Sequence, residues 1–384
     1  MSGTRTGRAT DLLLHGRVYA PDDLGPSVVA VAGDRIISIE PAERPPDGAR
    51  SVPIIAPGFI DIQINGAFGE DFSDPGADLG SVCASLPQYG VTAFLPTVIS
   101  SPRDRYAPCL SNLARSPRTG EARVLGVHIE GPFISPDHAG THDREVLRPP
   151  DGEEARAWLD AGEVRVVTLA PELTGALGLI TELSHAGVVV AGGHSGASWA
   201  DAQRASDAGM RLGTHLFNAM RPLHHRDPGI AGFLLASEIP VSVIADGRHL
   251  ALETLSLVSA AKEVGGLIAV TDALAGLGMP PGDFFLAGRR VISDGTVASL
   301  PDGTLSGSVL PLPRMVANLV TAGLTPAAAV HAVTASPARL LGLDGEMGGV
   351  RVGARADLVA LDADWRPLAT YIRGTCAWSA EADA

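Results

Sequence analysis

The chain has 384 residues, of which 45% are hydrophobic and 19% are charged, and its formal net charge is -14. This composition is typical of a globular protein, and the acidic balance argues against nucleic acid or a membrane as a partner, since both favour a basic surface. The three cysteines, Cys83, Cys109 and Cys376, have no paired spacing, so we expect reduced thiols and a cytoplasmic location. The first apolar stretch is too short for a secretory or membrane-spanning segment.

Both ends of the chain contain short strand patterns. Residues 11–57 hold runs rich in Val and Ile with a hairpin turn signal at Gly33-Asp34, and residues 344–384 repeat that character. Because neither end has enough strands to be stable alone, we predict one small β-sandwich domain built from both chain termini. The predicted bounds are 1–57 and 344–384 for the small domain and 58–343 for the segment between them.

Between the two ends, apolar strand patterns alternate with helical patterns. Eight strands are expected, at 59–63, 91–96, 124–129, 164–169, 188–191, 211–214, 241–244 and 267–270. Eight is the number that closes a (β/α)8 TIM-like barrel, so the predicted fold class is α/β. The carboxyl ends of barrel strands form the catalytic face. Polar residues follow nearly every strand, and they are Gln63 with Asn65, Thr97, Glu130, Glu172, His194, His215, Asp246 and Asp272.

In the stretch 187–220, two short strands each end on a histidine. Ser198 and Gly209 are the start and stop signals of a helix between these strands, so we expect His194 and His215 on one rim. Glu130, at the end of another strand, adds a carboxylate. Two imidazoles and one carboxylate leave a position open for water, as a catalytic divalent metal site requires. The alternative is a buried polar network of Glu and His that holds no metal.

Three further residues are candidates for the reaction. Asp272 follows an apolar strand and can act as general base and acid for metal-activated water, or it can cap the next helix. His142 can donate a hydrogen bond to an oxyanion, or it can be a histidine of a surface loop. Arg226 lies in RPLHHRD (221–227), the densest basic cluster, where its guanidinium suits a phosphate, although such clusters are usually solvated loops.

Several blocks of the sequence resemble the amidohydrolase superfamily and, within it, the N-acetylglucosamine-6-phosphate deacetylase family. They are PGFIDIQINGAFGEDF (57–72), HIEGPF (128–133), GGHSGAS (192–198), GTHLFNAM (213–220), ADGRH (245–249), VTDALAGLG (270–278) and LSGSVL (305–310). The resemblance implies a metal-dependent barrel of amino-sugar catabolism that hydrolyses a linear amide, the acetamide of an amino-sugar 6-phosphate. It also implies a homodimer, and it leaves open whether a phosphate contact comes from the neighbouring subunit.

The resemblance also implies a role for each matching residue. Glu130, His194 and His215 match the metal ligands, Asp272 matches the catalytic acid and base, and His142 matches the histidine that polarises the acetyl carbonyl. The matching substrate contacts are Asn218, Ala219, Arg226 and His249, with the last two at the phosphate, and Leu305, Ser306 and Gly307 in a loop that lines the sugar pocket.

The chain departs from many amidohydrolases at Gln63 and Asn65. These residues occupy the positions of a His-x-His pair that helps to bind a second metal, and neither is a good ligand. Lys262, which is the single lysine, lies in a helical pattern and offers no carboxylated bridge. We therefore predict one divalent metal per subunit, with zinc first and iron or cobalt as alternatives.

The sequence leaves alternatives for the function. The chain could instead deacetylate a different substrate or hydrolyse a cyclic amide. A further alternative is a catalytically inactive barrel with an assembly or regulatory role. Within the deacetylase interpretation, the preference for a gluco or a galacto sugar stays open.

Overall fold

The centre of the molecule is a barrel of eight parallel strands, seen in a computed structural model that describes residues 10–114 and 118–381. Consecutive barrel strands are hydrogen-bonded neighbours. From first to eighth they are Phe59–Ile64, Val91–Ile99, Val127–Glu130, Val164–Leu169, Val189–Gly192, Met210–Gly213, Val241–Ile244 and Leu267–Val270. The first and eighth strands meet where Asn65 N–H donates to the Ala273 carbonyl at 2.7 Å. The predicted α/β barrel is confirmed.

Helices pack around the outside of the barrel and alternate with its strands. Helix 199–208 shows how the sequence sets their bounds, since Ser198 and Asp201 form a capping box at its start and Gly209, at a φ of 116°, ends it. In residues 10–114 and 118–381, no helix combines the length and the apolar character needed to cross a membrane. The helices are Leu79–Ser85, Arg103–Leu113, Gly152–Ala161, Ala176–His185, Trp199–Ala208, Gly229–Ala236, Leu252–Ala261, Leu312–Thr321, Pro326–Ala332 and Ala335–Leu340.

Two barrel strands differ from the sequence prediction by more than one residue at an end. The second strand continues to Ile99, so that Thr97 lies buried within it and Ser100 is the polar residue at its end. The third strand is interrupted, because Arg123–Val124 pairs with the second strand but Gly126 then takes a φ of 115°, which strand backbone does not adopt. The strand resumes at Val127 and ends on Glu130, as predicted.

Strands from both chain ends form one separate mixed sheet of seven strands. Its order across the sheet is Thr375–Ser379, Pro367–Ile372, Leu358–Leu361, Arg50–Pro57, Leu12–Tyr19, Asp23–Ala32 and Arg35–Pro41. Gly33 and Asp34 make the predicted turn between its last two strands. The sheet has its own apolar core, so the predicted second β domain from both termini is confirmed. The domain bounds given above stay a prediction.

A small hairpin sheet that was not predicted follows the eighth barrel strand. It consists of Gly282–Leu286, Arg289–Ser293 and Ala298–Ser299 and has its own small apolar core. Arg289 Nη1 donates to the backbone carbonyls of Thr141 and His142 at 2.6 and 3.1 Å, so the hairpin holds the loop that carries His142. A second, two-stranded sheet, Gly66–Ala67 with Glu70–Asp71, follows the first barrel strand.

Candidate active site

Glu130, His194 and His215 converge at the carboxyl ends of the third, fifth and sixth barrel strands. Glu130 Oε1 lies 3.2 Å from His194 Nε2 and 2.8 Å from His215 Nε2. The two Nε2 atoms are 3.1 Å apart, and all three residues are buried. The three strand ends thus place one oxygen and two nitrogen atoms where a single cation could contact them all.

The hydrogen bonding around His194 supports a metal site over a metal-free polar network. His194 Nδ1 lies 3.0 Å from the backbone carbonyl of His138, and because a carbonyl only accepts, Nδ1 carries the proton. In the neutral ring, Nε2 then directs a lone pair at Glu130 Oε1 and His215 Nε2. Converging lone pairs repel one another unless a cation lies between them. The donor set therefore fits a divalent metal ion that accepts nitrogen and oxygen ligands.

Backbone conformation at the strand ends is unusual for residues with side chains. His194, His215 and Asp272 have φ angles of 48°, 30° and 49°, in the region that favours glycine. Each such residue costs on the order of 1–3 kcal/mol, and residues of this kind cluster at functional sites. The fold thus holds the two histidines and the aspartate in place against a local cost.

Asp272 follows the eighth barrel strand and lies beside the proposed ligands. Its Oδ1 accepts hydrogen bonds from Gln63 Nε2 at 3.0 Å and from Asn65 Nδ2 at 2.7 Å. Gln63 Nε2 also lies 3.1 Å from Glu130 Oε1, so one amide links the two carboxylates. Burial and the nearby Glu130 charge raise the pKa of Asp272 to about 6. Against the effect of its burial, protonation of His194 and His215 would add hydrogen bonds and charges that hold the pKa of Glu130 well below its usual range.

His142 is 2% exposed and therefore is not a surface-loop histidine. The Ser100 backbone N–H donates to His142 Nδ1 at 3.3 Å, with Ser100 Oγ at 2.7 Å from the same atom. Because a backbone N–H only donates, Nδ1 is the acceptor and Nε2 carries the ring proton. Burial is the largest cause that lowers the pKa of His142, to about 3. His142 is therefore a neutral donor whose Nε2 lies 3.8 Å from Glu130 Oε2.

A cavity of about 290 Å³ opens beside these groups. Predicted residues in its lining are Asn65, Glu130, His142, His194, His215, Asn218, Ala219, His249, Asp272, Leu305 and Gly307. His249 Nδ1 lies 2.7 Å from Asp246 Oδ2, which orients the ring. Residues in the lining that were not predicted are Ile99, Gly140, Thr141, Ile244, Leu286 and Thr304.

Three other residues singled out in the sequence lie away from the lining of this cavity. Arg226 is exposed on the 221–227 loop, with Nη1 2.7 Å from His225 Nε2. Ser306 is fully buried, and its hydroxyl has no hydrogen-bond partner among the described residues. Lys262 Nζ donates to the carbonyls of Ser237 and Ile239, which precede the seventh strand, at the end of the barrel away from the proposed ligands.

The sequence analysis did not identify the residues whose hydrogen bonds hold the site residues and their loops in place. Ser100 was missed because the second strand was ended too early, although a polar residue directly after a strand is the signal that found the others. The His138 carbonyl and Arg289 lie in a loop and a hairpin whose paths no local pattern predicts. Glu172 was identified only as a strand-end residue, and it accepts from Ser195 Oγ at 2.7 Å and Gly196 N–H at 2.6 Å, which fixes the loop after His194.

Comparison with known proteins identifies a family. The model of the amidohydrolase family matches residues 54–379. N-acetylglucosamine-6-phosphate deacetylase of Bos taurus is 41% identical over 348 residues, which cover 85% of this chain and 84% of the relative. N-acetylgalactosamine-6-phosphate deacetylase of Escherichia coli O157:H7 is 36% identical over 336 residues, which cover 85% and 89% of the two chains.

Solved structures agree with the sequence relatives. A mutant N-acetyl-D-glucosamine-6-phosphate deacetylase of Mycobacterium smegmatis, in complex with N-acetyl-D-glucosamine-6-phosphate, superposes with a TM-score of 0.91 at 33% identity, covering 97% of this chain and 100% of that one. The N-acetylglucosamine-6-phosphate deacetylase of Thermotoga maritima gives 0.86 at 30% identity, with 97% and 99% covered. The resemblance read from the sequence is confirmed, and the chain belongs to the amidohydrolase family.

Proposed function

We propose that this protein hydrolyses the acetamide of N-acetylglucosamine 6-phosphate to glucosamine 6-phosphate and acetate, as a step of amino-sugar catabolism. The observation that carries the proposal is the convergence of Glu130, His194 and His215 beside Asp272, in a chain whose relatives are named for this reaction. An intact set of ligands and acid/base argues against a catalytically inactive barrel. The names of the relatives argue against hydrolysis of a cyclic amide, since these proteins are named as deacetylases.

One divalent metal ion per subunit would be held by Glu130, His194 and His215, and we propose zinc, with iron and cobalt also suited to two imidazoles and a carboxylate. When bound, the ion polarises the acetyl carbonyl and makes water more acidic. Gln63 and Asn65 supply amide groups to Asp272 rather than ligands to a second ion, which supports a single metal.

Asp272 moves the proton in this proposal. With a pKa of about 6, it is mostly ionised at neutral pH and can take a proton from the attacking water as the C–O bond forms. It then passes that proton to the sugar nitrogen as the C–N bond breaks, which leaves acetate and a free amine. The amide donors of Gln63 and Asn65 hold the carboxylate in one orientation during both transfers.

His142 stabilises the charge that develops on the acetyl oxygen. Its Nε2 lies 3.8 Å from Glu130 Oε2, both residues line the cavity, and its low pKa keeps the ring a neutral donor instead of a charged acid. A donor placed before the reaction requires no reorganisation as the oxyanion forms. The support for this role comes from Ser100, whose backbone N–H fixes the tautomer.

For substrate binding, we propose that Asn218, Ala219, Leu305 and Gly307 contact the sugar in the cavity. Ser306 lies between the last two in the chain and is assigned to the same loop. His249 and Arg226 are assigned to the phosphate. His249 lines the cavity, whereas Arg226 is exposed on a loop outside it.

We also propose a homodimer, in which Arg226, exposed outside the cavity of its own subunit, is available to the phosphate bound by the neighbouring subunit. The proposed location is the cytoplasm, and the three cysteines, which form no disulfide, are consistent with a reducing compartment. Replacing Arg226 distinguishes a phosphate contact from a role in a solvated loop, because only a phosphate contact makes KM depend on the 6-phosphate of the sugar. We expect Arg226→Ala to raise KM strongly for the phosphorylated sugar and little for the sugar without phosphate, and an unchanged KM would remove the assignment.

The galacto epimer is a second candidate substrate, because one relative at 36% identity is named for it. Acetate release should be measured over N-acetylglucosamine and N-acetylgalactosamine, each with and without 6-phosphate, together with metal analysis of the same preparation. We expect the gluco 6-phosphate to have the highest kcat/KM. Failure to release acetate from every member of the panel would contradict the deacetylase proposal itself.

A further inference from the structure

The side-chain amide of Asn65 has a fixed orientation in the cavity wall. Its Nδ2 lies 2.7 Å from Asp272 Oδ1 and 3.4 Å from the backbone carbonyl oxygen of Asp272. A backbone carbonyl only accepts hydrogen bonds, so the nitrogen and not the oxygen of the amide faces Asp272, whatever the protonation state of the carboxyl group. The amide oxygen consequently points away from Asp272.

The Oδ1 atom of Asn65 is a buried acceptor without a hydrogen-bond donor among the described residues. Asn65 is 3% exposed, and it lines the cavity next to the proposed metal ligands and Asp272. Buried polar atoms in folded proteins are nearly always hydrogen-bonded, and an exception in the lining of a cavity calls for a donor from outside the chain. The missing donor is therefore expected on the molecule that enters the cavity.

We infer that Asn65 Oδ1 accepts a hydrogen bond from the N–H of the acetamide that is hydrolysed. The inference rests on the proposed function, because it assigns the donor to the reacting group of that substrate. An acetamide of this kind has one N–H. It is the one donor present in every substrate of the class at the bond that breaks, and it must lie close to Asp272 because Asp272 protonates the same nitrogen.

The reason for such a contact lies in the geometry of the leaving nitrogen. When water adds to the acetyl carbon, the nitrogen becomes pyramidal and its lone pair is no longer delocalised into the carbonyl. This lone pair has to face Asp272 to receive the proton. The N–H must then point in a different direction. Because the amide of Asn65 binds Asp272 through Nδ2, its Oδ1 is directed away from the carboxylate and can hold the N–H in that other direction. One side chain thus orients both partners of the final proton transfer.

Gln63 provides a matched comparison for Asn65. Its Nε2 also donates to Asp272 Oδ1, at 3.0 Å, but it is shared with Glu130 Oε1, and Gln63 is not part of the cavity lining. Replacing either residue removes a donor that holds Asp272. Replacing Asn65 alone also removes an acceptor that faces the substrate.

The test compares the acetamide with an acetate ester at the same position of the same sugar phosphate, in which oxygen replaces N–H. Both substrates need Asp272 as base, but the ester has no hydrogen to offer to Asn65. We expect Gln63→Ala to lower kcat for the two substrates by the same factor. Asn65→Ala should lower kcat for the acetamide about tenfold more than for the ester, which is the size of one hydrogen bond between neutral groups.

Equal losses on the two substrates in Asn65→Ala would overturn the inference and leave Asn65 as a residue that only positions Asp272. An unchanged kcat for the acetamide would overturn it as well. Retained ester hydrolysis and an unchanged metal content show that the variant is folded. If the native protein releases no acetate from amino-sugar phosphates, the proposed function itself is wrong. This outcome is distinguishable from failure of the Asn65 inference, because it is seen before any variants are compared.

A spectroscopic measurement tests the contact without turnover. In the slow Asp272→Asn variant, whose side-chain oxygen still accepts from Asn65, the amide proton of ¹⁵N-labelled substrate should shift downfield on binding. The shift should be absent when Asn65→Ala is added to this background. The same downfield shift in both proteins would overturn the inference.

Discussion

Replacing His142 with alanine tests the oxyanion donor, and the structure sets the expected size of the effect. The ring is buried and neutral, with a pKa of about 3, and its Nε2 proton is held by the hydrogen bond from the Ser100 N–H to Nδ1. Loss of one such donor typically lowers kcat by about 10²- to 10³-fold. Because His142 is a neutral donor, we expect a loss near the lower end, about 10²-fold, with little change in KM.

The matched control is Ser100→Ala. This change removes the Oγ contact at 2.7 Å but keeps the backbone N–H that defines the tautomer, so the Nε2 proton stays in place. We expect kcat to fall by only about 2- to 10-fold, the range for one neutral hydrogen bond. The assay is initial-rate acetate release, with kcat and KM determined separately and metal content measured in each variant. The reasoning would be refuted by a loss below about fivefold in His142→Ala, or by an equally large loss in Ser100→Ala.

Three further predictions concern pH, metal and backbone. Because the pKa of Asp272 is raised to about 6 and the base must be ionised, kcat should be maintained above pH 6 and fall about tenfold per pH unit below it, and a flat pH-rate profile down to pH 4.5 would contradict this. A chelator should abolish activity and lower the midpoint of thermal unfolding, since the ion binds only the native state. One equivalent of zinc should restore both the activity and the midpoint. Two tightly held ions per chain would contradict the single site. Gly307→Ala should lower kcat more than tenfold, because the new Cβ would lie 2.4 Å from the Asp272 carbonyl oxygen at a φ of 48°, whereas Gly303→Ala, also at positive φ but without neighbours within 4 Å, should cost stability and little activity. Equal kcat in the two glycine variants would show that the Gly307 contact does not position Asp272.

Local sequence signals predicted an element correctly where one segment contains both the residue pattern of the element and the residues that start and end it. The helix between Ser198 and Gly209 is an example, because a capping box and a left-handed glycine act on neighbouring residues only. The same applies to the polar residues that follow strands. Since parallel strands in a barrel end on one rim, identifying Glu130, His194 and His215 as strand-end residues already implied that they meet.

Local sequence signals did not predict the structure correctly where the path of the chain depends on residues that are distant in the sequence. Nothing near His142 in the sequence predicts that it is buried, because its burial depends on Ser100 from the second strand end and on Arg289 from the hairpin. The early end given to the second strand had the same origin. The predicted strand ends at residue 96, but Val91–Ile99 is held as a strand by neighbours on both sides.

The sequence by itself determined the barrel, the second domain from both termini, and the set of groups that reach the catalytic rim, because strand periodicity, caps and turns are encoded within a few residues. Tertiary structure alone decided the chemistry of each group. Which nitrogen of His142 carries the proton, why the pKa of Asp272 is raised, and which atom of Asn65 faces Asp272 all depend on donors, acceptors and charges from other strands. Burial and hydrogen bonding set these properties, and both depend on contacts between residues that are far apart in the chain.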